Sequence, residues 1–434
     1  MRRKRGYGVL LLAAMMVMAV AQSSFGAGFA LYEGSARGNA LGGAMVGRAD
    51  DPSALFYNPA GITQLPGTQF MAGATFIMPT TDVKTYQRGY WATTKAEDNV
   101  WYPPHIYGTY QFNDSLWFGL GIFSPFGLGT EFNPYWNGRY NNYDAVIQTL
   151  NINPTVAFKI TDKLSAAAGL DFMYFDITYK KKIADYSQLT LPAYMRNSAL
   201  DTDLNLNGDS WGYGWNVGLH YKAFDWMSLG LAYRSEVKQH IDGTADFTKS
   251  VYSTYPATFY NDTGASASVV LPAELYMGIN FKLHPRLTWE VGAIWTQWES
   301  YKDLTVKFDN PVVFLRDGTA ISTSTATKNY HDTWRLNTGI EYKALDWLDL
   351  RLGYVWDEEP SNDFYADYLV PAANRHMITS GLGFHWNNWT FDVSYTYLII
   401  ESRNVFTSLA DGVYFSTFEN GDAHLVGISV SYKF

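Results

Sequence analysis

The chain has 434 residues, a formal net charge of −9, 47% hydrophobic and 17% aromatic residues, and a mean hydropathy of −0.17. Its cysteine count of zero excludes a disulfide scaffold, a thiolate metal site and an N-terminal lipidated cysteine. The acidic balance argues against nucleic acid as a partner. A high aromatic share with negative hydropathy is typical of alternating strands, which hide their apolar face from any averaging window.

The N-terminus has the layout of a secretory signal peptide. Four basic residues at positions 2–5 precede an apolar run over residues 9–21, and small residues follow it up to Gly26. The apolar run is too short for a membrane-spanning helix. We therefore predict a signal peptide over residues 1–26, cleaved between Gly26 and Ala27, and an exported mature protein.

The next segment, residues 27–66, predicts a small plug. Gly34, Gly38 and Gly42 recur every fourth residue, so a helix here carries one bare face. Each interior glycine costs a helix about 1 kcal/mol relative to alanine. Such a helix needs a surrounding wall, and we expect the segment to pack inside one.

The second half of the plug is predicted to hold a short capped helix. Asp51 is a candidate N-cap with Pro52 in the first turn. The tripeptide Asn58-Pro59-Ala60 then ends the helix, because a residue before proline is pushed out of the α region. We expect the plug to move at this break, although an Asn-Pro pair is by itself an ordinary turn signal.

From residue 67 to the C-terminus, apolar and polar residues alternate with period two, the pattern of strands with one apolar face. In the segment 334–343, one face carries Trp334, Leu336, Thr338, Ile340 and Tyr342. Tryptophans gather near the strand ends, as in the two aromatic girdles of an outer-membrane barrel. A soluble sandwich also alternates, but its apolar face favours medium-sized aliphatic residues.

The connections give the number of strands. Short polar turns are predicted at residues 113–114, 161–162, 225–226, 284–285, 346–347 and 387–388. Longer stretches alternate with them near residues 79–103, 124–144, 181–208, 248–266, 309–328, 359–374 and 401–420. An even strand count with both termini on the short-turn side is the rule for outer-membrane barrels. We predict an all-β fold, a 14-stranded antiparallel transmembrane β-barrel over residues 67–434, with a helical hatch of residues 27–66 plugging its lumen.

Three stretches of the hatch resemble the FadL/TodX-type transporter family. They are Ala27-Gly28-Phe29, the sequence RADDPSAL at residues 48–55, and Asn58-Pro59-Ala60. The members of that family are fourteen-stranded outer-membrane channels for long-chain fatty acids and other hydrophobic compounds. The resemblance implies that the mature N-terminus contributes to an inner binding pocket, and that the turn at Asn58-Pro59-Ala60 shifts to release the ligand.

The third predicted strand, residues 115–123, ends where pairing between strands is expected to fail. Pro125 removes a ladder donor, and Gly127 follows two residues later. The alternative is that these residues only begin an external loop. The resemblance extends to the sequence SPFGLGTEF and implies a kinked third strand that opens a lateral gap in the wall. The candidates for this gap and for an external apolar groove are Phe123, Pro125, Phe126, Gly127, Leu128, Phe132 and Trp136.

Charged residues also fall on inward faces of the predicted strands. An arginine on the lipid face at mid-membrane would cost about 2–4 kcal/mol, which places Arg335 and Arg351 inward. Such residues pair across strands or meet a ligand carboxylate through two parallel hydrogen bonds. Arg335 and Arg351 are therefore candidate carboxylate contacts, and Arg375, which matches a proline-then-arginine stretch of the family, is a third.

No stretch of the chain carries a catalytic or cofactor motif. The eight histidines show no HExxH spacing, and neither a GxSxG nucleophile elbow nor a nucleotide-binding motif is present. We expect no cofactor, no metal and no enzymatic activity, and any transport is expected to be passive.

The resemblance implies a function at the bacterial outer membrane. The chain is expected to conduct long-chain fatty acids or related hydrocarbons by external capture, a lumenal pocket, and release past the hatch or sideways. The expected partners are the hydrophobic ligand, outer-membrane lipid and the barrel assembly machinery, whose recognition signature the terminal Phe434 resembles. The chain is expected to be a monomer. The alternatives are a general porin for small polar solutes and an outer-membrane lipid hydrolase.

Overall fold

Fourteen antiparallel strands form a closed wall. The computed structural model describes residues 28–314, 319–406, 408 and 411–434, so the predicted signal peptide and Ala27 lie outside the described residues. Each strand pairs with the next one in sequence, and the last strand pairs with the first from Gln69↔Lys433 to Tyr86↔Phe415. The predicted fourteen-stranded β-barrel is confirmed.

Six strands are interrupted, and their halves are labelled a and b. The wall strands are β1 (Thr68–Gln87), β2 (Pro104–Gln111), β3a (Leu116–Phe123), β3b (Gly127–Glu131), β4 (Asp144–Lys159), β5 (Leu164–Ile183), β6 (Thr202–Phe224), β7a (Met227–Arg234), β7b (Val237–Thr248), β8a (Thr263–Leu271), β8b (Glu274–His284), β9a (Leu287–Thr296), β9b (Asp303–Phe308), β10a (Thr323–Thr327), β10b (Thr333–Leu345), β11 (Leu348–Asp357), β12 (Arg375–Trp386), β13a (Trp389–Ile400), β13b (Arg403–Val405) and β14 (Phe415–Lys433). Three short strands in the long loops are Tyr90–Lys95, Val313–Phe314 and Ala320–Ile321.

Successive side chains alternate between the outer surface and the lumen. On β11, Leu350 and Leu352 are exposed on the outer face, whereas Asp349 and Arg351 are buried in the lumen. An apolar outer face is what a strand needs where it meets lipid, and a polar inner face is tolerated because it is enclosed. Among the described residues, no helix is both long and apolar enough to cross a membrane.

All six predicted short turns join neighbouring strands, and the long loops alternate with them. The strands run farther into the loops than the alternation predicts. β5 and β6 stay paired up to Ile183↔Thr202, inside the loop expected at residues 181–208. Ladder hydrogen bonds between the two arms of a hairpin persist beyond the part of the strand that meets lipid, where polar residues replace apolar ones.

The hatch lies inside the barrel as short helical pieces. They are α1 (Ala36–Ala40), α2 (Ala54–Tyr57) and a 3-10 helix (Pro59–Gln64). Ser35 caps α1 by accepting a hydrogen bond from the Gly38 amide, and Ser53 occupies the N-cap position of α2. The prediction that Asp51 is the helix cap is therefore off by two residues. Asp51 accepts from the Ser53 amide at 2.8 Å and so fixes the turn before α2.

Candidate functional site

The hatch fits against the wall because inward-facing glycines let its backbone approach. A Cβ atom at Gly230 on β7a would lie 1.9 Å from the carbonyl oxygen of Val46. A Cβ atom at Gly339 on β10b would lie 2.5 Å from the carbonyl oxygen of Leu41. Close approach of hatch atoms also marks six glycines on other strands, Gly119, Gly218, Gly278, Gly353, Gly381 and Gly427. At these positions the wall leaves no room for a side chain of its own.

Buried ion pairs tie the hatch to one side of the wall. Arg48 lies 3.5 Å from the Glu290 carboxylate and 3.1 Å from the Glu341 carboxylate. Arg37 reaches the same Glu341 at 2.8 Å. Glu290 also accepts hydrogen bonds from the backbone amides of Gly47 and Arg48, each at 2.8 Å. Sequence analysis missed these contacts, although two arginines within a segment of small residues were a usable signal.

The Asn58-Pro59-Ala60 turn bridges the hatch and the wall. The Asn58 side-chain amide donates to the carbonyl oxygens of Val46 in the hatch and Leu219 on β6, both at 3.0 Å. Its side-chain oxygen accepts from the Ala60 amide at 3.2 Å. These bonds hold the turn in place, and its role as a moving gate stays a prediction.

The third strand is interrupted at residues 124–126. β3a and β3b both pair with β4, with one extra residue between Phe123↔Asn151 and Gly127↔Gln148. On the other side, pairing with β2 ends at His105↔Phe123, so β3b has no neighbour there. The interruption thus leaves a gap in the ladder between β2 and β3b.

The start of the hatch lies along this unpaired edge. The Leu31 amide donates to the Pro125 carbonyl oxygen, and the Gly127 amide donates to the Phe29 carbonyl oxygen, each at 2.8 Å. The Phe29 ring packs edge-on against Trp298, with ring centroids 4.8 Å apart. The N-terminal segment therefore fills the β2–β3b gap from inside.

An apolar cavity of about 210 Å³ lies in the loop-side half of the lumen. Its apolar lining comes from strands β3b to β10a and one loop, and includes Leu128, Ile147, Ile177, Leu206, Ile241, Val306 and Leu369. The cations in the lining are Lys181 and Lys328. Lys328 is paired with Asp367, whereas Lys181 has no ion-pair partner among the described residues. The acids in the lining are Asp367 and Asp411. The cavity thus offers an apolar surface with one cation, Lys181, that forms no ion pair among the described residues.

The chain matches a single protein family over most of its length. Residues 17–434 match the family described as "Outer membrane protein transport protein (OMPP1/FadL/TodX)". The chain belongs to this family. It is an outer-membrane protein, in agreement with the localisation expected from the sequence.

Individual OMPP1/FadL/TodX relatives agree along the whole chain. A long-chain fatty acid transport protein of Escherichia coli O6:H1 is 26% identical, with 97% of each chain covered. The structure of a Pseudomonas aeruginosa FadL homologue superposes with a TM-score of 0.81 at 20% identity, covering 94% of this chain and 100% of the other. The Pseudomonas putida toluene transporter TodX gives 0.66 at 18% identity, covering 92% and 97%. The two structures show that the fold is shared.

In this OMPP1/FadL/TodX chain, the three candidate arginines are bound to carboxylates of the protein itself. Arg335 lies 2.8 Å from Asp357, and Arg375 is paired with the same carboxylate. Arg351 lies 2.7 Å from Glu341 and 2.6 Å from Asp392. None of the three lines the apolar cavity. Their contact with a ligand stays a prediction. In the structure all three pair with carboxylates across strands.

The four residues expected on an external groove lie inside the protein. Phe126 packs against Phe29, and Leu128 lines the cavity. Phe132 stacks on Trp136 with ring centroids 4.2 Å apart, and both are buried below the loop of residues 358–374. The chain that covers them lies far away in the sequence, Phe29 over Phe126 and the loop of residues 358–374 over Trp136. Their role at an opening or groove stays a prediction.

Proposed function

We propose that this chain carries slender apolar molecules, long-chain fatty acids among them, into the outer membrane by passive diffusion. The observation that carries the proposal is the cavity, which combines an extended apolar lining with the unpaired Lys181. An apolar surface binds a hydrocarbon tail, and a charge-assisted hydrogen bond from an ammonium group fixes a carboxylate.

The names of the relatives support the same class of substrate. One relative is named for long-chain fatty acid transport and another structure is that of a toluene transporter. Both are apolar cargoes, and both names are those of transporters, which favours passage over catalysis. Among the described residues, no group of three or more His, Asp or Glu side chains is arranged to hold a metal ion.

Capture from outside is assigned to apolar residues on the long loops. The exposed members of this loop patch are Tyr186, Leu189, Met195, Val251 and Tyr252. They belong to the loops after β5 and after β7b, whose strands also line the cavity. A patch of this kind gives a hydrocarbon a first contact above a polar membrane surface.

Release is assigned to the gap between β2 and β3b. The gap is next to the cavity, because Leu128 belongs to both β3b and the cavity lining. The other direction is obstructed by the hatch, which is held by buried ion pairs and by contacts closer than a Cβ atom allows. We therefore propose that Phe29 and its segment withdraw from the gap, while the rest of the hatch stays seated.

The test is uptake by bacterial cells that lack a fatty-acid transporter of their own. Cells expressing the chain receive a labelled long-chain fatty acid or a neutral alkane of the same length. Uptake of both should rise above that of cells with an empty vector, and equal uptake with and without the chain would overturn the proposal.

A matched pair of variants tests the carboxylate contact. Lys181→Met removes the cavity cation that lacks an ion-pair partner, and should lower fatty-acid uptake by about 10- to 100-fold, because a hydrogen bond to a charged group contributes about 1.5–3 kcal/mol. Alkane uptake should not change. The control is Lys180→Met, whose side chain pairs with Asp144 and does not line the cavity. Equal effects of the two substitutions would remove Lys181 from the site.

A further inference from the structure

The wall has a second opened seam, between β6 and β7. Pairing of β6 with β7a ends at Asn216↔Arg234, and pairing with β7b resumes at Asp242↔Asp209. Residues 210–215 therefore have no ladder partner in residues 235–241. Each strand keeps its other neighbour, since β6 stays paired with β5, and β7b with β8a, along this stretch. The opening is thus confined to one seam.

Above Trp215, side chains close this seam. A Cβ atom at Gly212 would lie 2.5 Å from Val237 Cγ1 and 2.7 Å from the Gln239 side-chain nitrogen. A Cβ atom at Gly214 would lie 2.9 Å from Val237 Cγ2. Val237 and Gln239 are almost fully buried. The two glycines leave the space that these two side chains occupy.

Few polar contacts cross the seam. Ser210 donates to the Gln239 side-chain oxygen at 2.8 Å. At the lower end, the Ser235 amide donates to the Trp215 carbonyl oxygen at 2.9 Å, and the Ser235 hydroxyl oxygen accepts from the Trp215 amide at 3.0 Å. Side chains change rotamer far more easily than a ladder unzips, so this seam can open without unfolding a strand.

The interruption of β9 is filled differently, which sets the β6–β7 seam apart. Between β9a and β9b, six residues form a turn with a 3-10 helix at Trp298–Ser300, and the buried Trp298 ring packs against Phe29 and Phe126. At the β2–β3b gap, the hatch segment around Phe29 supplies the missing chain. The β6–β7 seam contains no inserted chain, only Val237 and Gln239.

The two sides of the seam have the surroundings of a passage. On the inside, Ile241 and Gly208 at its upper end line the apolar cavity. On the outside, Trp211 and Tyr213 are 50% and 69% exposed along β6. Lys238 is exposed on the facing strand. An aromatic edge opposite a charged edge is typical of the boundary between hydrocarbon and headgroups.

We propose that the β6–β7 seam is a second lateral opening, through which a slender apolar molecule passes between the cavity and the loop-side leaflet of the membrane. Val237 and Gln239 are its gate, and Gly212 and Gly214 provide the space into which the gate closes. The choice of an acyl chain as the passing molecule rests on the proposed function, whereas the opening itself rests on the pairing.

The experiment uses the absence of native cysteine. Val237→Cys places a thiol in the seam, and Met173→Cys places an equally buried thiol on β5, directly opposite Gly212 in a fully paired ladder. Each variant is reconstituted in lipid nanodiscs and treated with a pyrene maleimide dissolved in the membrane, or with a charged water-soluble maleimide. The rate of thiol modification is measured by mass spectrometry.

Val237→Cys should react with the membrane-dissolved reagent at least several-fold faster than Met173→Cys, and the charged reagent should show no such preference. Equal rates at the two positions with the pyrene reagent would overturn the second opening. Fatty-acid uptake by the unmodified chain is measured in parallel. Loss of that uptake with the seam preference intact would count against the proposed function alone, and the converse result would count against the seam alone.

Discussion

The two halves of the barrel lumen are built on opposite rules. In the hatch-side half, the wall offers glycines and charges, the hatch backbone touches the wall where a Cβ atom would clash, and a polar cavity of about 640 Å³ lined by Arg37, Asp50 and Glu341 lies beside the hatch. In the loop-side half, strands are interrupted, the lining is apolar, and a cavity of about 210 Å³ remains open. The difference supports the proposal that closure and passage belong to different levels of one lumen, with release of the ligand through the wall and not past the hatch.

The largest effect is expected from removing a charge that anchors the hatch to the wall. Arg48→Met should leave Glu290 buried without its cation, which costs about 3–5 kcal/mol. The hatch should then loosen, and single channels in planar bilayers should acquire a steady ion current. Arg286→Met is the control, because its pair with Asp346 is exposed and contributes about 0–1 kcal/mol. A silent Arg48→Met channel would contradict the assignment of Arg48 as an anchor.

A steric change at the same level should act in the same direction but less strongly. Gly230→Val drives a side chain into the Val46 carbonyl, and overpacking of this kind costs about 1–3 kcal/mol. Its control is Gly108→Val on β2, where no heavy atom lies within 4 Å of the added Cβ. Hydrogen exchange of hatch amides should accelerate in Gly230→Val only. The same protection in both variants would show that the glycines are not what seats the hatch.

A third prediction concerns the loop-side half of the lumen, where an added side chain should fill the apolar cavity. Ala267→Phe adds a ring on the cavity-lining face of β8a, whereas Ser268→Phe adds it on the exposed face of the next residue. Fatty-acid uptake should fall several-fold in the first variant and stay unchanged in the second, with equal amounts of folded protein. If both variants transport normally, the ligand does not use this cavity.

The smallest expected effect concerns the loops above the cavity. Burial raises the pKa of the Asp185 carboxyl, but hydrogen bonds from Ser187 and Thr254 outweigh burial and hold that pKa well below its ordinary value. A lowered pKa in the folded state contributes stability above the ordinary value of about 3.9, and that stability is lost as the pH falls below it. The protection factor of the Thr254 amide against hydrogen exchange should therefore fall below about pH 4. Asp185→Asn should remove this pH dependence.

The sequence predicts the wall well because its signals are local and periodic. Alternation marks each strand, and dipeptides such as those at 161–162 and 225–226 mark the short turns. Neighbouring residues are therefore enough to predict both. The family resemblance adds the hatch. The position of Lys181 was also within reach, since period two places only the middle residue of the Lys180-Lys181-Lys182 run on the cavity side.

The floor contacts could not be predicted in the same way, because they join residues far apart in the chain. Arg48 contacts Glu290, and Val46 contacts Gly230, across about two hundred residues of sequence. The residues around each position do not show that the two are close in space. Phe132 and Trp136 could not be placed for a similar reason. An apolar loop residue has the same sequence pattern whether it is exposed to water or covered by a second loop. The level at which an inward-facing side chain lies in the lumen depends on how the strands are staggered, and the sequence of one strand does not give that stagger.

The central claim is that the ligand leaves through the wall while the hatch stays seated, and the most direct test cross-links the hatch to the wall. Thr63 in the hatch and Ser165 on β5 have hydroxyl oxygens 2.7 Å apart, so Thr63→Cys with Ser165→Cys places two sulfurs within reach of a disulfide in a chain without other cysteines. Fatty-acid uptake is measured with the bond oxidised and again after reduction. The account predicts equal uptake in both states, because the ligand leaves through the wall above the hatch. Uptake that stops on oxidation and returns on reduction would contradict it.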